Sequence, residues 1–326
     1  MKLISIICPV YNCAEFIEET ITSVINQTYS HWELLLIDDG STDDSHHICQ
    51  EFQKEENRIK VFSKNNGGQA SARNYGIQKS QGELITFIDS DDLYASNKLE
   101  AQIATFNNTQ ADFYYGGGYT LKDVEGKDRE IGTYDWVYGQ FSGVEFFKIL
   151  FKDCAVNINT VLVKRELFDY CGYFDEAPVL RGTEDLDLWL RIADKVEKIH
   201  GNPERLVYYR LHEGGIHLQR ARMLIGKIHI YEKYEQSTKI SALYKKREYR
   251  YVYRELMNQL IVEDRINEVK TYFKDLCKKD KNGLTTNCQK LIFFLFNPKT
   301  FNWISTKILY RIGYRLEKFQ YKIKGI

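Results

Sequence analysis

Leu84-Ile85-Thr86-Phe87-Ile88 runs directly into Asp89-Ser90-Asp91-Asp92. An uncharged run rich in β-branched and aromatic side chains reads as a strand covered on both faces. Three carboxylates in the next four residues repel one another. In a parallel sheet the C-terminal strand end is where ligands bind, and a divalent cation bridging carboxylates to a diphosphate would relieve the repulsion. If the chain stays extended, Asp89 and Asp91 share a face. The same acids read alternatively as a loop capping a helix that starts near Leu93.

Outward from this stretch the pattern alternates. Residues 3–8 and 34–37 are apolar runs, and residues 15–26 between them place Ile17, Ile21, Val24 and Ile25 at helical spacing. Residues 59–62 read as a third strand and 70–80 as a helix after a Gly-rich turn. This alternation predicts an α/β fold, a mostly parallel sheet flanked by helices on both faces, with residues 1–95 as a nucleotide-binding half. Over 96–218 the spacing loosens: a helix near 99–107, strands at 112–115, 158–163 and 206–211, and a helix at 186–193 extend the same sheet as an acceptor half. Past 218, long charged stretches such as 231–282 predict a C-terminal helical extension over 219–326.

The chain has 326 residues, roughly two folding units at ~150 residues each. Lys+Arg 45 against Asp+Glu 45 cancel, which excludes a function built on overall positive charge and predicts no nucleic-acid partner. Seven scattered cysteines form no C-x-x-C pair, so neither a zinc ribbon nor a disulfide framework is expected, and a reducing cytoplasm fits. The N-terminal apolar run is too short for a signal peptide, and no window offers the ~20 apolar residues of a spanning helix. Residues 289–326 hold eight Lys or Arg and one Glu, a net of +7. There Ile304, Ile308, Ile312, Leu316, Phe319 and Ile323 form one helical stripe beside Lys307, Arg311, Arg315, Lys318 and Lys322. Such a helix lies in the interface of an anionic membrane, or packs on its own domain or on a second subunit with its basic face in water.

Four further segments carry chemistry. Ile37-Asp38-Asp39-Gly40-Ser41-Thr42-Asp43 ends the second strand in acids that suit a ribose or a base N–H. Asn65-Asn66-Gly67-Gly68 feeds a helix whose first amides approach an anion. Arg181-Gly182-Thr183-Glu184-Asp185-Leu186-Asp187 reads as Thr183 capping a helix with acids in its first turn, where a carboxylate can serve as general base. Tyr208-Tyr209-Arg210-Leu211-His212 closes a strand before Glu213-Gly214-Gly215. No G-x-G-x-x-G or G-x-x-x-x-G-K-[ST] occurs, which weighs against dinucleotide and P-loop readings.

Taken in order over residues 3–213, Cys8-Pro9-Val10-Tyr11-Asn12, Asp38-Asp39-Gly40-Ser41, Asn66-Gly67-Gly68 with Ala72-Arg73-Asn74, Asp89-Ser90-Asp91-Asp92 and Glu184-Asp185 with Asp187-Leu188-Trp189 resemble the inverting family 2 glycosyltransferases of the GT-A fold. The resemblance implies a hexosyltransferase that moves a sugar from a UDP-sugar to a glycan or lipid-linked acceptor, with Mn2+ or Mg2+ as cofactor, in surface polysaccharide or glycolipid assembly. It implies that Pro9 and Tyr11 line the base pocket, Glu18 joins it, Asp39 meets the uracil edge and Arg73 orients base or phosphate. Asp89 would hold the ribose, Asp91 the metal with His212 as a further metal or phosphate contact, and Asp92 would support that donor-binding shell. Asp185 would be the catalytic base, positioned by Glu184. The Q-x-x-R-W motif of the family's polymerases is absent, which implies single-sugar transfer, and the Gly pair after His212 implies a loop over the donor. The alternatives are a sugar-nucleotidyltransferase and a non-catalytic binding module on a transferase fold. The enzyme is expected in the cytoplasm or peripheral on the inner membrane face.

Overall fold

A computed structural model describes residues 1–123, 128–152, 156–212 and 219–279. The Glu213-Gly214-Gly215 stretch and the basic tail 289–326 lie outside the described residues. The chain divides into two compact units, Met1–Leu218 and Gln219–Ile326.

The first unit runs β1 (Ile4–Val10), α1 (Ile17–Ile25), β2 (Trp32–Asp38), α2 (Ser45–Glu55), β3 (Ile59–Ser63), α3 (Gln69–Lys79), β4 (Leu84–Phe87), β5 (Leu93–Tyr94) and α4 (Lys98–Thr109). It continues with β6 (Phe113–Asp123), β7 (Asp128–Tyr134), β8 (Gly139–Phe141), α5 (Gly143–Lys152), β9 (Leu162–Lys164), α6 (Leu167–Cys171), α7 (Glu184–Ala193) and β10 (Ile199–Leu211). The sheet order is β3-β2-β1-β4-β9-β6-β10-β5, with β7 on β6 and β8 on β10. β3, β2, β1 and β4 are parallel. β9 runs antiparallel to both β4 and β6, which restores the direction in β6, and β10 follows β6 in parallel. Six of the eight strands along that path therefore share one direction, as the sequence leads one to expect.

The apolar runs are buried because helices cover both faces. Ile4, Ile6 and Cys8 of β1 join Ile17, Ile21 and Val24 of α1 and Leu99, Ile103 and Phe106 of α4 in one cluster. On the opposite face Leu35 and Ile37 pack with Ala72 of α3. There α3 crosses β1 closely enough that a Cβ on Gly76 would lie 2.5 Å from Ile7 Cγ2. Gly76→Ala should thus lower unfolding stability by about 1–3 kcal/mol in urea melts, and an unchanged midpoint would contradict this packing. Pro9 sits past the last β1–β4 pair, Ile7 with Phe87, so its missing N–H opens no ladder bond.

Several expectations are corrected. The segment at Leu93 is a strand, and the helix begins at Lys98. The chain does not stay extended after β4: Asp92 N–H donates to Asp89 O at 3.1 Å, closing a turn. Residues 158–163 are not one strand but a 3-10 turn, Ile158–Thr160, followed by β9. β10 begins at Ile199, well before residue 206, because its register shifts between Asn202 and Arg205 let Pro203 pass in a bulge.

The second unit is helical where described: α8 (Arg220–Lys233), α9 (Ala242–Val262) and α10 (Ile266–Lys279). Ser241 caps α9 by accepting from Tyr244 N–H at 3.2 Å. Val252, Tyr253, Leu256 and Leu260 form its buried stripe, and α9 packs against both α8 and α10. Among the described residues no helix is long and apolar enough to cross a membrane.

Candidate active site

The ends of β1 and β2 are laced together by side chains. Asn12, with φ of 47°, accepts from Thr42 N–H at 2.7 Å. Cys13 N–H donates to Ser45 Oγ at 2.8 Å and Ala14 N–H to Asp43 Oδ2 at 3.0 Å. This fixes the β1–α1 loop and leaves Tyr11 48% exposed, an aromatic face held on a rigid support. Asp39 is buried. Its Oδ1 accepts from Lys64 Nζ at 2.6 Å and its Oδ2 from Gly68 N–H at 2.7 Å, with Gly67 N–H shared at 3.0 and 3.1 Å. Asp39 therefore holds the turn in front of α3, which needs Gly68 at φ 85°. In this structure its oxygens are occupied, and a base edge reaching Asp39 would displace Lys64.

The acidic turn follows β4. Asp89 N–H donates to Asn159 Oδ1 at 2.7 Å, and Asp89 Oδ1 accepts from Arg73 Nη2 at 2.7 Å. Asp91 Oδ2 lies 2.8 Å from His212 Nε2, both side chains part-exposed at 30% and 26%. Burial and the Asp89 charge push the Asp91 carboxyl up, and His212 offsets the rise. Asp92 is wholly buried. Its oxygens accept from Arg210 N–H at 2.8 Å and from Asn159 Nδ2, so it braces the turn from behind, a supporting place rather than a contact surface of its own. Burial, with Asp91 and Asp89 nearby, raises its carboxyl well above the usual range. Among the described residues no group of three or more His, Cys, Asp or Glu side chains surrounds one point. Asp91 and His212 offer a carboxylate oxygen and an imidazole nitrogen, a donor pair that fits Mn2+ or Mg2+ if diphosphate oxygens and water complete the shell.

Arg73 links the two acidic segments. Buried at 2% exposure, it donates Nη2 to Asp89 and Nη1 to Glu184 Oε1 at 2.9 Å. Glu184 also accepts from Gln69 Nε2 at 2.5 Å and from Gly182 N–H at 2.6 Å. The neighbouring Asp185 opens α7, with Leu186 N–H donating to its Oδ1 at 2.7 Å. Burial, then the Glu184 charge, raise its carboxyl to about 7, against the pull of Leu186 N–H and Arg73. Thr183 occupies the N-cap position, but its hydroxyl donates back to Leu180 O at 3.0 Å, and the first-turn amide of Leu186 is met by Asp185 instead.

Arg73, Asp89 and Glu184 are thus joined directly. Asp91, Asp92 and His212 follow through the turn, and Asp185 through its neighbour. Glu18 is exposed on α1 outside this network; Glu19 makes the link instead, to Arg210 Nη2 at 2.5 Å. The sequence reading missed Asn159, Arg210, Gln69 and Lys64. Of these only Arg210 carried a signal, its place two residues before His212.

Residues 5–168, half of the chain, match the family described as glycosyl transferase family 2. A putative teichuronic acid biosynthesis glycosyltransferase, TuaG of Bacillus subtilis, is 32% identical over 210 residues, covering 64% of this chain and 79% of that protein. An uncharacterized glycosyltransferase of Rickettsia bellii is 40% identical over 193 residues, and the chain spans only 26% of its length. The fold is similar to S. aureus TarS in complex with UDP-GlcNAc, at TM-score 0.59 and 20% identity, over 80% of this chain and 73% of that one. It is also similar to the mannosyltransferase PcManGT of Pyrobaculum calidifontis in complex with GDP-Man and Mn2+, at 0.58 and 16%, over 97% and 86%. With an acidic turn after β4 and a carboxylate poised near neutrality at the head of α7, the chain belongs to glycosyl transferase family 2 and is a glycosyltransferase of the GT-A fold.

Proposed function

We propose that this glycosyltransferase moves a single sugar from a UDP-sugar to an acceptor hydroxyl, with inversion and with the help of a divalent metal. The observation that carries the reading is Asp185, a carboxyl raised to about 7 by burial beside Glu184, on the same Arg73 network that anchors Asp89. A base with that affinity for a proton is about half ionised at neutral pH and still basic enough to draw a proton from a hydroxyl under attack.

Tyr11 stacks the uracil with Pro9 beside it, and the Asp39-held turn meets the base edge. Asp89 spends Oδ1 on Arg73 and offers Oδ2 to the ribose. Asp91 and His212 would hold Mn2+ or Mg2+, which when bound neutralises charge on the diphosphate. Asp185 takes the acceptor proton, the freed oxygen bonds to the anomeric carbon, and the bond to the diphosphate breaks on the opposite face. One displacement gives inversion. Glu184 keeps Asp185 oriented, through the Gln69, Arg73 and Gly182 bonds that fix the first turn of α7.

The melting midpoint of the protein with UDP or GDP, each with and without Mn2+, tests the donor site, since a selective ligand must raise it. UDP is expected to raise the midpoint, and Mn2+ to enlarge that shift. A larger shift with GDP would reassign the donor, and no shift with either would remove the reading.

The acceptor is a glycan or a lipid-linked glycan of surface polysaccharide assembly, a reading supported by the likeness to TuaG. The enzyme works in the cytoplasm or on the inner membrane face, held there by the 289–326 tail. Flotation with anionic liposomes should fall when the chain is cut near residue 288, and equal flotation would remove the anchor. If the tail instead joins two copies, the same cut converts a dimer to a monomer in light scattering.

A further inference from the structure

The acidic turn is held from outside by a residue that no step above uses. Asn159 is wholly buried on the 3-10 turn Ile158–Thr160. Its own N–H donates to Asn157 Oδ1 at 2.9 Å, which fixes its backbone. Both ends of its amide go to the acidic turn. Oδ1 accepts from Asp89 N–H at 2.7 Å, and Nδ2 donates to Asp92 Oδ2. The partners force this orientation, because a backbone N–H needs an oxygen opposite and a carboxylate needs a donor. The other Asp92 oxygen accepts from Arg210 N–H at 2.8 Å. The bonds therefore form one series: Asp89 N–H to Asn159, Asn159 to Asp92, and Arg210 N–H to Asp92.

We infer that Asn159 is a positioning residue that fixes the spacing of Asp89 and Asp91 for a metal-bound nucleotide diphosphate, acting through the two ends of the turn. This rests on the donor-site reading above. Asn159 touches the first and last residues of a four-residue turn, and Asp91, one of the two residues between them, carries the metal-binding carboxylate. Losing either bond lets that carboxylate drift, and a carboxylate misplaced by a fraction of an ångström is a poorer ligand. Other bonds do not substitute for the clamp. Thr20 Oγ1 donates to Ser90 O at 3.0 Å and Asp92 O at 2.9 Å, and Arg210 Nη1 to Asp91 O at 3.1 Å, so they hold carbonyls; Arg210 N–H takes only Oδ1 of Asp92, and the Asp89 N–H and Asp92 Oδ2 are left to Asn159.

An exchange of partners tests the assignment. Asn159→Asp keeps the acceptor for Asp89 N–H but sets two carboxylates against each other. Asp92→Asn leaves an amide facing an amide, with one group mismatched. Combined, the two substitutions restore every bond in the series. The side chain at 159 again accepts from Asp89 N–H, and its other oxygen accepts from the new amide at 92. That amide's oxygen still accepts from Arg210 N–H.

UDP affinity is measured by calorimetry on the full chain with and without Mn2+, and each variant is melted alongside. Each single substitution should weaken Mn2+-assisted UDP binding about tenfold to a hundredfold, the range for groups that orient metal ligands, and metal-free UDP binding, which keeps only the Asp89 contact to the ribose, by clearly less. The double variant should return to within about threefold of wild type. A double variant no tighter than Asn159→Asp, or one that does not fold, overturns the assignment. Equal losses of UDP binding with and without Mn2+ in the single variants also overturn it, since general loosening does that. Wild-type UDP binding that ignores Mn2+ sinks the metal reading instead. The clamp is then judged by melting, where the double variant must regain the wild-type midpoint.

Discussion

Asp185→Asn should abolish most sugar transfer and at the same time make the protein more stable. The rate is expected to fall about 10²–10⁴-fold, the usual worth of a positioned general base, while UDP binding is retained, because Asp185 is not among the residues assigned to the nucleotide. The stability gain follows from linkage. Burial and Glu184 raise the Asp185 carboxyl from 3.8 to about 7 in the folded state. Between those values the native state keeps a proton that the unfolded chain has released, so stability falls as pH rises through that window. An amide carries no charge to bury and still accepts from Leu186 N–H, so the variant should be more stable above pH 7 by on the order of 1 kcal/mol. Its stability should also decline less steeply than that of wild type between pH 4 and 7, by the share that Asp185 contributes. Melts at pH 5 and 8, with UDP release as the activity measure, check both halves. Transfer that survives the substitution would contradict the assignment of the base.

Arg73→Met should cost about 3–5 kcal/mol of folding stability, the penalty for stripping the partner from buried charge. The guanidinium is buried and bonds Asp89 on one side and Glu184 on the other. Without it two carboxylates face each other across the gap. Arg73→Lys should recover only part of the loss, since one ammonium does not span both acids in fork geometry. Adding Glu184→Gln to Arg73→Met should recover more, because it removes one of the stranded charges. Urea midpoints for the three variants give the comparison, and an Arg73→Met midpoint within 1 kcal/mol of wild type would show that the bridge is not holding the two segments together.

The parallel half was legible because burial on both faces leaves continuous apolar runs, as in β1, β2 and β4. β6 was read too short because Gly116, Gly117 and Gly118 interrupt any strand signal. Their reason is tertiary: a Cβ on Gly118 would lie 2.1 Å from Tyr134 Oη, and one on Gly117 2.6 Å from Tyr138 Oη. Phenols from the following hairpin lie across a bare strand, and no local pattern encodes that. The acids of the site could be read because clustered charge at a strand end is costly and visible. The groups that make the clustering tolerable could not. Asn159 is an amide in a 3-10 turn with no periodicity to mark it, and it meets Asp89 across 70 positions. Arg210 meets Asp92 across 118. Asp92 shows the same limit from the other side: its charge was visible, but which way it faces was not. Whether Asp39 binds a base or a loop was equally closed to the sequence, since its Gly67, Gly68 and Lys64 partners gather only when β2, β3 and α3 come together.

The central claim is that Asp185 accepts the acceptor proton, and the rate of UDP release from a UDP-sugar as a function of pH tests it most directly. With saturating donor and Mn2+, the wild-type rate should climb with unit slope below pH 7 and level off above it, following the ionisation of a carboxyl raised to about 7. The residual rate of Asp185→Asn should lack that inflection. A wild-type rate flat from pH 5 to 9, or an inflection that persists in the Asn variant, would contradict the account.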